Sequence, residues 1–290
     1  MNAENHKGRR HSSFERAINY CFLVDGEERL ITILKEGIPL LPDSIIVSLE
    51  LFTLIKENAD DIVKIKDNHF CVGNITIPLD SNDSAKLFLP DILRGEHCTI
   101  VWKHVQLLNE YIQKQNKKSD LLRLPVRFVE GVNQFADSLL NEDRVNAERE
   151  FDKLIGAGKG LTPACDDAIV GVLAVMCLYY SQNANYGFWQ YEYLVAGILE
   201  KLKTRKITTV ISTKYLKNIC RGSISVPIEQ LLKWLFMDED QFPINEIEQI
   251  LRTGHTSGVD TLFGIQCALK CIECGENNAT AIIRKRLNEN

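Results

Sequence analysis

The sequence predicts an α+β protein in which a small N-terminal β-sandwich or β-barrel precedes a larger all-helical domain. Short β-branched and aromatic runs, separated by turn residues, occupy the first third of the chain. The hydrophobic period then lengthens to that of helices. With 290 residues, 45% of them hydrophobic and 25% charged, the chain has the composition of a soluble globular protein of one or two domains. We therefore predict a disordered tail at residues 1–13, a β domain at 14–95 and a helical domain at 96–290.

The β domain is predicted from a hairpin and several shorter strands. Residues 1–13 are polar and locally basic, with no periodicity that could bury a face, which is why we expect a disordered tail there. Residues 20–24 and 29–34 flank the turn sequence Asp25-Gly26 and predict a hairpin. Further strands are predicted at residues 45–48, 62–65, 69–72 and 74–77. Their spacing is typical of a small all-β unit.

The helical domain is predicted from apolar residues that recur on one helical face. Trp102, Val105, Leu108 and Ile112 share such a face, and the same pattern returns at residues 128–139. Further helices are predicted at residues 144–155, 163–180, 189–202, 208–220, 227–236, 244–251, 258–274 and 279–287. The polar run at residues 113–119 is interpreted as a surface turn between helices.

Charge and cysteine content exclude some classes of partner and compartment. The formal net charge is −5, without the basic excess that binds a nucleic-acid backbone, so we predict no nucleic-acid partner. The nine cysteines are scattered and the first residues lack the apolar stretch of a secretory signal, which predicts reduced thiols in a cytoplasmic protein. The most apolar stretch, residues 168–180, is shorter than the ~20 residues that cross a bilayer. We therefore predict no membrane span.

A glycine-rich loop at residues 156–160 precedes one of the predicted helices. Gly156, Gly158 and Gly160 alternate with other residues, which indicates positive backbone φ or the close approach of another group. Thr162 suits the N-cap of the next helix, and a helix N-terminus attracts anions. The loop is not a Walker phosphate loop, because Lys159 is followed by glycine where serine or threonine is required. We predict that these five residues bind an anion.

Two adjacent aspartates, Asp166 and Asp167, occupy the first turn of that helix. One interpretation is that they only complement the helix dipole. However, residues 168–178 are apolar all round, which predicts a helix enclosed by others. Carboxylates at an enclosed helix start are costly unless they meet a cation, hydrogen-bond donors or a substrate. Asp167 is therefore a candidate catalytic residue, and both aspartates are candidate magnesium ligands.

A second loop, at residues 254–264, weakly repeats the first. In both, a Gly-x-Thr opening leads to an aspartate four residues before a helical glycine: Asp167 before Gly171, and Asp260 before Gly264. This repeat predicts that the two loops share one pocket. The spacing of Ser257 and Asp260 also fits a capping box, which would be structural.

The side chains of the second loop extend the candidate site. His255 lies among small residues, where an imidazole can act as acid, base or hydrogen-bond donor. We therefore predict catalytic roles for His255 and Asp260. Thr256 and Ser257 are candidate anion-binding residues.

The other cysteines and histidines are interpreted as structural. Cys267, Cys271 and Cys274 have the spacing of iron–sulfur ligands, but they fall on one face of a predicted helix, which favours core packing. Cys165 lies at a helix N-terminus, where its pKa could be lowered, yet packing is again favoured. The histidines at positions 69, 97 and 104 form no set of zinc ligands.

Three motifs together resemble the AllH-like family. They are Gly-x-Gly-x-Gly-Leu-Thr-Pro-x-x-Asp-Asp at 156–167, Thr-Thr-x-x-Ser at 208–212, and Gly-His-Thr-Ser-Gly-x-Asp-x-Leu-x-Gly at 254–264. The resemblance extends over residues 14–285 and departs from the family pattern at Ala164-Cys165, where Ser-Gly is common. The family includes a subunit of bacterial oxamate carbamoyltransferase, from allantoin catabolism. The resemblance therefore implies a cytoplasmic protein that works with larger partner subunits.

Three functions remain open at this stage. In a carbamoyltransferase subunit, the glycine loop would hold the phosphate of carbamoyl phosphate, Lys159 would add charge, and His255 would polarise the transferred carbonyl. In a magnesium-dependent hydrolase, Asp166, Asp167 and Asp260 would bind a cation that activates water. In a scaffold subunit, the loops would only complete a partner's site. No cofactor other than magnesium is expected.

Overall fold

The computed structural model describes residues 6–24, 26–57, 61–79, 89, 99–182 and 187–288, with side chains of the last helix up to residue 277. The chain divides into two compact units, residues 1–87 and residues 88–290. The boundary that we predicted at residues 95–96 lies outside the described residues.

Within the described ranges, the N-terminal unit is built on one seven-stranded mixed sheet that curls into a half-barrel. Its strands are β1 (His6–Ser13), β2 (Ala17–Val24), β3 (Glu27–Lys35), β4 (Ser44–Val47), β5 (Ile62–Lys66), β6 (His69–Val72) and β7 (Ile75–Pro78). The spatial order is β4-β3-β2-β1-β5-β6-β7. Strands β3 and β4 are parallel, and the other neighbours are antiparallel. The predicted hairpin is confirmed as β2 and β3.

The prediction of a disordered tail is wrong for residues 6–13. These residues form β1, which pairs with β2 on one side and β5 on the other, in the middle of the sheet. The sequence of β1 is polar because neither face of the strand is fully buried. A Cβ atom on Gly8 would lie 2.7 Å from the ring of Phe22, so the backbone of β1 passes close to its neighbour. Residues 1–5 lie outside the described residues.

The N-terminal unit also contains a helix that the sequence analysis missed. Helix α1 (Leu49–Glu57) buries Phe52 and Ile55 in the core of this unit. Ser48 starts the helix, since its carbonyl accepts the N–H of Phe52 at 2.9 Å and its hydroxyl accepts that of Leu51 at 3.3 Å. The expectation of an all-β unit was therefore wrong here.

The C-terminal unit is helical in its described part, which confirms the α+β fold class. Its elements are α2 (Trp102–Gln113), a 3-10 helix (Asp120–Arg123), α3 (Val126–Leu140), α4 (Arg144–Leu154), α5 (Ala164–Gln182), α6 (Gly187–Thr204), α7 (Val210–Cys220), α8 (Val226–Phe236), α9 (Ile244–Leu251) and α10 (Ser257–Asn288). The two helices predicted at 258–274 and 279–287 are one continuous helix, α10.

Helix α5 runs through the centre of this unit. Every residue from Ala164 to Leu178 is buried, as the apolar sequence predicted. Among the described residues, α5 is the one helix long and apolar enough to cross a membrane, and 89% of that stretch is buried inside the protein. Helix α5 therefore has the burial that is typical of the core helix of a folded domain.

Helices α5 and α10 cross in backbone contact. Between elements of the described chain, this pair has the most extensive contact. A Cβ atom on Gly171 would lie 2.1 Å from the carbonyl oxygen of Thr261, and one on Gly264 would lie 1.9 Å from that of Ala168. The two glycines of the sequence repeat therefore mark the point where the helices touch.

Candidate functional site

Helices α5, α7 and α10 begin beside one another, around the two adjacent aspartates. The hydroxyl of Thr208, just before α7, donates to Asp166 on α5. The hydroxyl of Ser257, the first residue of α10, faces the carboxyl group of Asp167. We call this cluster the polar centre and define it as Thr162, Asp166, Asp167, Thr208, Ser212 and Ser257.

Asp166 ties the glycine loop to the start of α7. Its Oδ1 accepts the N–H of Gly156 at 2.6 Å, and its Oδ2 accepts the hydroxyl of Thr208. The hydroxyl of Ser212 also faces this carboxyl group, but not in the geometry of a hydrogen bond. Burial raises the pKa of Asp166, and these donors oppose that rise. Both oxygens of Asp166 are therefore used to hold the site together.

Asp260 anchors the second loop in a similar way. Its Oδ1 accepts the hydroxyl of Ser119 and, at 3.3 Å, the N–H of Leu121 in the 3-10 helix. Burial raises the pKa of Asp260, and these donors oppose the rise. Nearby, the hydroxyl of Thr256 donates to Asp120 at 2.9 Å. The carboxyl group of Asp260 is thus bound to the 3-10 helix, and the assignment of Ser119 to a surface turn was wrong, because Ser119 is buried.

Asp167 differs from the other two aspartates because one of its oxygens is fully buried and has no hydrogen-bond partner among the described residues. This oxygen is Oδ2, and the residue is only 4% exposed. Burial raises the pKa of Asp167 well above its usual value; the hydroxyls of Ser257 and Thr162 oppose this, and the charges of Asp260 and Asp166 add to it. Burial therefore shifts Asp167 toward the neutral acid relative to an exposed aspartate.

Ser212, in the first turn of α7, is the second buried group with unused hydrogen-bonding capacity. It is 2% exposed, and its Oγ has no hydrogen-bond partner among the described residues. Its backbone N–H is capped by the hydroxyl of Thr209 at 3.1 Å. One turn later, Tyr215 faces Asp167, and burial together with that carboxyl group raises the pKa of Tyr215 to about 12. One face of α7 is thus directed at the start of α5.

The glycine loop adopts the positive φ angles that its sequence predicts, with φ of 75° at Gly156, 128° at Gly158 and 94° at Gly160. It folds back on α5, where the carbonyl of Ala157 accepts the N–H of Cys165 at 3.0 Å. A Cβ atom on Gly158 would lie 2.4 Å from the nitrogen of Ala164, so this position has no room for a side chain. The loop itself therefore occupies part of the helix start, and the amide of Gly156 is already donated to Asp166.

The predicted cationic side chain, Lys159, and the predicted acid–base side chain, His255, each lie on an exposed part of their loop. Lys159 and His255 are both exposed. Lys159 lies three residues before Thr162, at most about 11 Å along the chain, and His255 lies two residues before Ser257, at most about 8 Å. Because Thr162 and Ser257 both face Asp167, the two loops meet at this carboxyl group. The roles of all these residues in binding and catalysis stay predictions.

The carboxyl groups give the magnesium alternative no support. In the part of the chain that the structure describes, no three side chains of His, Cys, Asp or Glu lie together as metal ligands would. Both oxygens of Asp166 and one of Asp260 already accept hydrogen bonds. Donors from the protein thus take the positions that a hard cation would need.

The cysteines and histidines that we interpreted as structural are mostly packed or hydrogen-bonded within the fold, and Cys274 is the exception. Burial raises the pKa of the Cys165 thiol to about 12, so it stays neutral and packs in the core. Cys267 lies in the core and Cys271 packs against it, but Cys274 is exposed, so core packing was wrong for that residue. His104 is buried and stacks on Trp234. His69 binds the carbonyl of Asp67, and His97 lies outside the described residues.

Ser119 and Tyr215 were not singled out in the sequence, and Ser212 was singled out only as the last residue of the Thr-Thr-x-x-Ser motif, without a role in the site. A signal was present for Ser212, because Thr209 three residues earlier suits a helix N-cap and so places Ser212 in the first turn of a helix. No local signal marks Ser119, since its partner Asp260 lies 141 residues away.

Comparison with protein families identifies two segments of the chain. Residues 154–269, which contain the polar centre, match the family described as oxamate carbamoyltransferase subunit AllH. Residues 1–86, which contain the sheet, match the AllH family N-terminal domain. No solved structure matches the chain. The description as a subunit implies a complex of several subunits. The chain therefore belongs to the AllH family, whose name indicates a subunit of oxamate carbamoyltransferase.

Proposed function

We propose that this protein is a cytoplasmic carbamoyltransferase subunit that binds carbamoyl phosphate, or a similar small anion, beside the polar centre. The observation that carries the proposal is the meeting of the two glycine loops and the start of α7 at Asp167. This arrangement lies within the segment that matches the carbamoyltransferase subunit family.

Lys159 and His255 are the residues that we assign to the anion. An exposed lysine on a glycine loop supplies a mobile positive charge for a phosphate group. His255 can donate a hydrogen bond to the carbonyl oxygen of the carbamoyl group, where negative charge develops during transfer. In the transfer, the bond from the carbamoyl carbon to the phosphate oxygen breaks, and a bond to the nitrogen of oxamate forms. The nitrogen gives up a proton, and phosphate leaves.

Larger partner subunits complete the site in this proposal. One backbone N–H group at the start of α5, that of Cys165, already donates to the carbonyl of Ala157. A phosphate group therefore needs donors beyond this helix start, and the partner subunits are their source. The reaction serves the catabolism of allantoin and related ureido compounds.

Lys159→Gln tests the anion site in the complex reconstituted from its purified subunits. We expect the KM for carbamoyl phosphate to rise about tenfold, which corresponds to the loss of one charge-assisted hydrogen bond. The KM for oxamate should change little. Lys270→Gln is the matched control, because Lys270 is exposed on α10, thirteen residues and about 20 Å beyond Ser257.

His255→Ala tests the catalytic assignment in the same assay. We expect kcat to fall by about 100-fold, the loss typical of removing one donor to a developing oxyanion. The control is Arg252→Ala, which changes an exposed residue three positions earlier. If both Lys159→Gln and His255→Ala leave the complex fully active, the loops are structural and the protein is a scaffold subunit.

A further inference from the structure

We propose that one face of the N-terminal sheet docks an acidic surface of a partner subunit. Four exposed cationic side chains share this face, and we call them the basic face: Lys7 and Arg9 on β1, and Lys64 and Lys66 on β5. The proposal goes beyond the proposed function, because it concerns how the complex is held together and does not depend on which residues bind the substrates.

The pairing of β1 with β5 brings the side chains of the basic face together. Lys7 lies directly opposite Lys64, and Arg9 lies opposite Ile62. Successive side chains of a strand point to opposite faces of the sheet, so the four cationic side chains lie on one face. The other face of β5 carries Val63, which is buried in the apolar core of this unit.

The pair of Lys7 and Lys64 is unfavourable in the protein alone. Directly opposite residues of neighbouring strands have Cβ atoms about 5 Å apart, so like charges at these positions repel and destabilise the sheet. Among the described residues, Lys7, Arg9 and Lys64 have no ion-pair partner, and Lys66 has only the exposed Asp67 at 3.8 Å. A negatively charged surface bound here would offset this repulsion.

Protection of a sheet edge does not explain these charges. Lysines on edge strands prevent one sheet from pairing with another. Strand β1 lies between β2 and β5, and β5 lies between β1 and β6, so neither is an edge strand. The chain as a whole has a formal net charge of −5. The positive charge of the basic face is thus a local feature, and an acidic partner is what it complements.

Two exposed apolar side chains favour a protein over a nucleic acid as the partner. Leu23 on β2 is 66% exposed and Ile62 on β5 is 64% exposed. Both lie on the same face as Arg9, since Arg9 is opposite Ile62 on one side and opposite Cys21, two residues before Leu23, on the other. Protein interfaces combine apolar contacts with complementary charge, whereas nucleic-acid interfaces are more polar and much more positively charged.

The family description as a subunit supplies a partner of this kind, because it implies a complex of several subunits. The matching surface of that partner carries aspartate and glutamate side chains around apolar ones.

Lys64→Glu is the first test, with the Kd for the purified partner subunits measured by biolayer interferometry. The variant places a glutamate opposite Lys7, so the sheet gains a pair of opposite charges and the melting temperature should stay equal or rise. The Kd should nevertheless rise at least about tenfold, because an attractive charge in the interface becomes a repulsive one. A purely structural role of Lys64 would instead couple weaker binding to a lower melting temperature.

Lys56→Glu is the matched control, with the same change of charge in the same unit. Lys56 is exposed near the end of α1, and α1 packs on the core face of the sheet. The Kd of this variant should stay within about twofold of the original, because salt largely screens a charge that lies outside the interface. For the original protein, the Kd should rise with the concentration of NaCl, and this dependence should be weaker in Lys64→Glu.

The outcomes separate this proposal from other partners and from the proposed function. Unchanged affinity of Lys64→Glu for the partner subunits overturns it. Binding of a DNA duplex, or self-association of the original protein, that is lost in Lys64→Glu while partner affinity is unchanged also overturns it, and assigns the face to nucleic acid or to a second copy. If Lys64→Glu weakens partner binding while Lys159→Gln and His255→Ala leave the complex fully active, the basic face stands and the proposed function fails.

Discussion

At the scale of single residues, three buried aspartates of one cluster have different roles. Asp166 and Asp260 each accept hydrogen bonds that fix a loop, from Gly156 and Thr208 in the first case and from Ser119 and Leu121 in the second. Asp167 keeps one oxygen without a hydrogen-bond partner in the described part of the chain. The same side chain is therefore an anchor at two positions and a candidate ligand-binding group at the third.

Asp167→Asn should raise the stability of the protein at neutral pH. Burial raises the pKa of Asp167 above the value of 3.8 for an exposed aspartate, so the folded state binds this proton more tightly than the unfolded state. The stability that Asp167 contributes is thus present at low pH and is lost as the pH rises from about 4 through the folded-state pKa. Each unit of that shift corresponds to about 1.4 kcal/mol.

Urea denaturation between pH 4 and pH 8 measures this effect. The free energy of unfolding of Asp167→Asn should exceed that of the original protein by an amount that grows over this range. Asp137→Asn, which changes an exposed aspartate on α3, should show no such trend. A constant difference across the range would mean that Asp167 is ionised in the folded protein.

The burial of Asp166 and Asp167 was predictable from the sequence, but their hydrogen-bond partners were not. The apolar residues after Asp167 predict an enclosed helix, and an enclosed helix start makes carboxyl groups there unusual. Which oxygen lacks a partner depends on Thr208 and Ser257, which lie 42 and about 90 residues away from their aspartates in the chain. No local pattern carries that information.

At the scale of elements, the crossing of α5 and α10 determines the position of the site. The helix backbones touch at Gly171 and Gly264, where an added Cβ atom would lie about 2 Å from a carbonyl oxygen of the other helix. Each of these glycines lies four residues, about one turn, after an aspartate of the site. The internal repeat in the sequence therefore reflects a real packing constraint.

Gly171→Ala and Gly264→Ala should each destabilise the protein strongly. The added methyl group would overlap backbone atoms that cannot rotate away, so the helices must separate, at a cost of about 3 kcal/mol or more. The urea midpoint measures this loss. Gly275→Ala is the matched control on α10, because its Cβ atom would lie 3.4 Å from the end of Leu140, an ordinary contact.

Alanine also has the higher helix propensity, so Gly275→Ala should be neutral or stabilising by up to about 1 kcal/mol. Equal urea midpoints for all three variants would show that α5 and α10 do not cross in backbone contact.

The sequence did not predict strand β1, because this strand is held by backbone hydrogen bonds to its neighbours and not by the burial of an apolar face. Strand β1 has no apolar face, and its place between β2 and β5 comes from backbone hydrogen bonds. Patterns of hydrophobic residues detect buried faces, so they recovered the hairpin of β2 and β3 but not β1. Helix α1 was missed because the exposed side chains of Leu49 and Leu54 are also apolar and obscure the helical spacing of the buried Phe52 and Ile55.

At the scale of the whole molecule, the N-terminal residues are essential to the sheet. Removal of residues 1–13 would leave β2 and β5 with unpaired backbone edges in the middle of the sheet. We expect this deletion to lose β structure in far-UV circular dichroism and to aggregate. Removal of residues 1–5 alone leaves β1 whole and is the control. A soluble 1–13 deletion with unchanged β content would contradict the position of β1.

We propose above that the substrates of carbamoyl transfer bind where the two glycine loops meet. The most direct test is a crystal structure of the reconstituted complex with carbamoyl phosphate and oxamate bound as an unreactive pair at low temperature. We expect the phosphate group beside Lys159, and the carbonyl oxygen of the carbamoyl group within about 3 Å of a ring nitrogen of His255. Both ligands bound on a partner subunit, away from Lys159 and His255, would contradict the proposal.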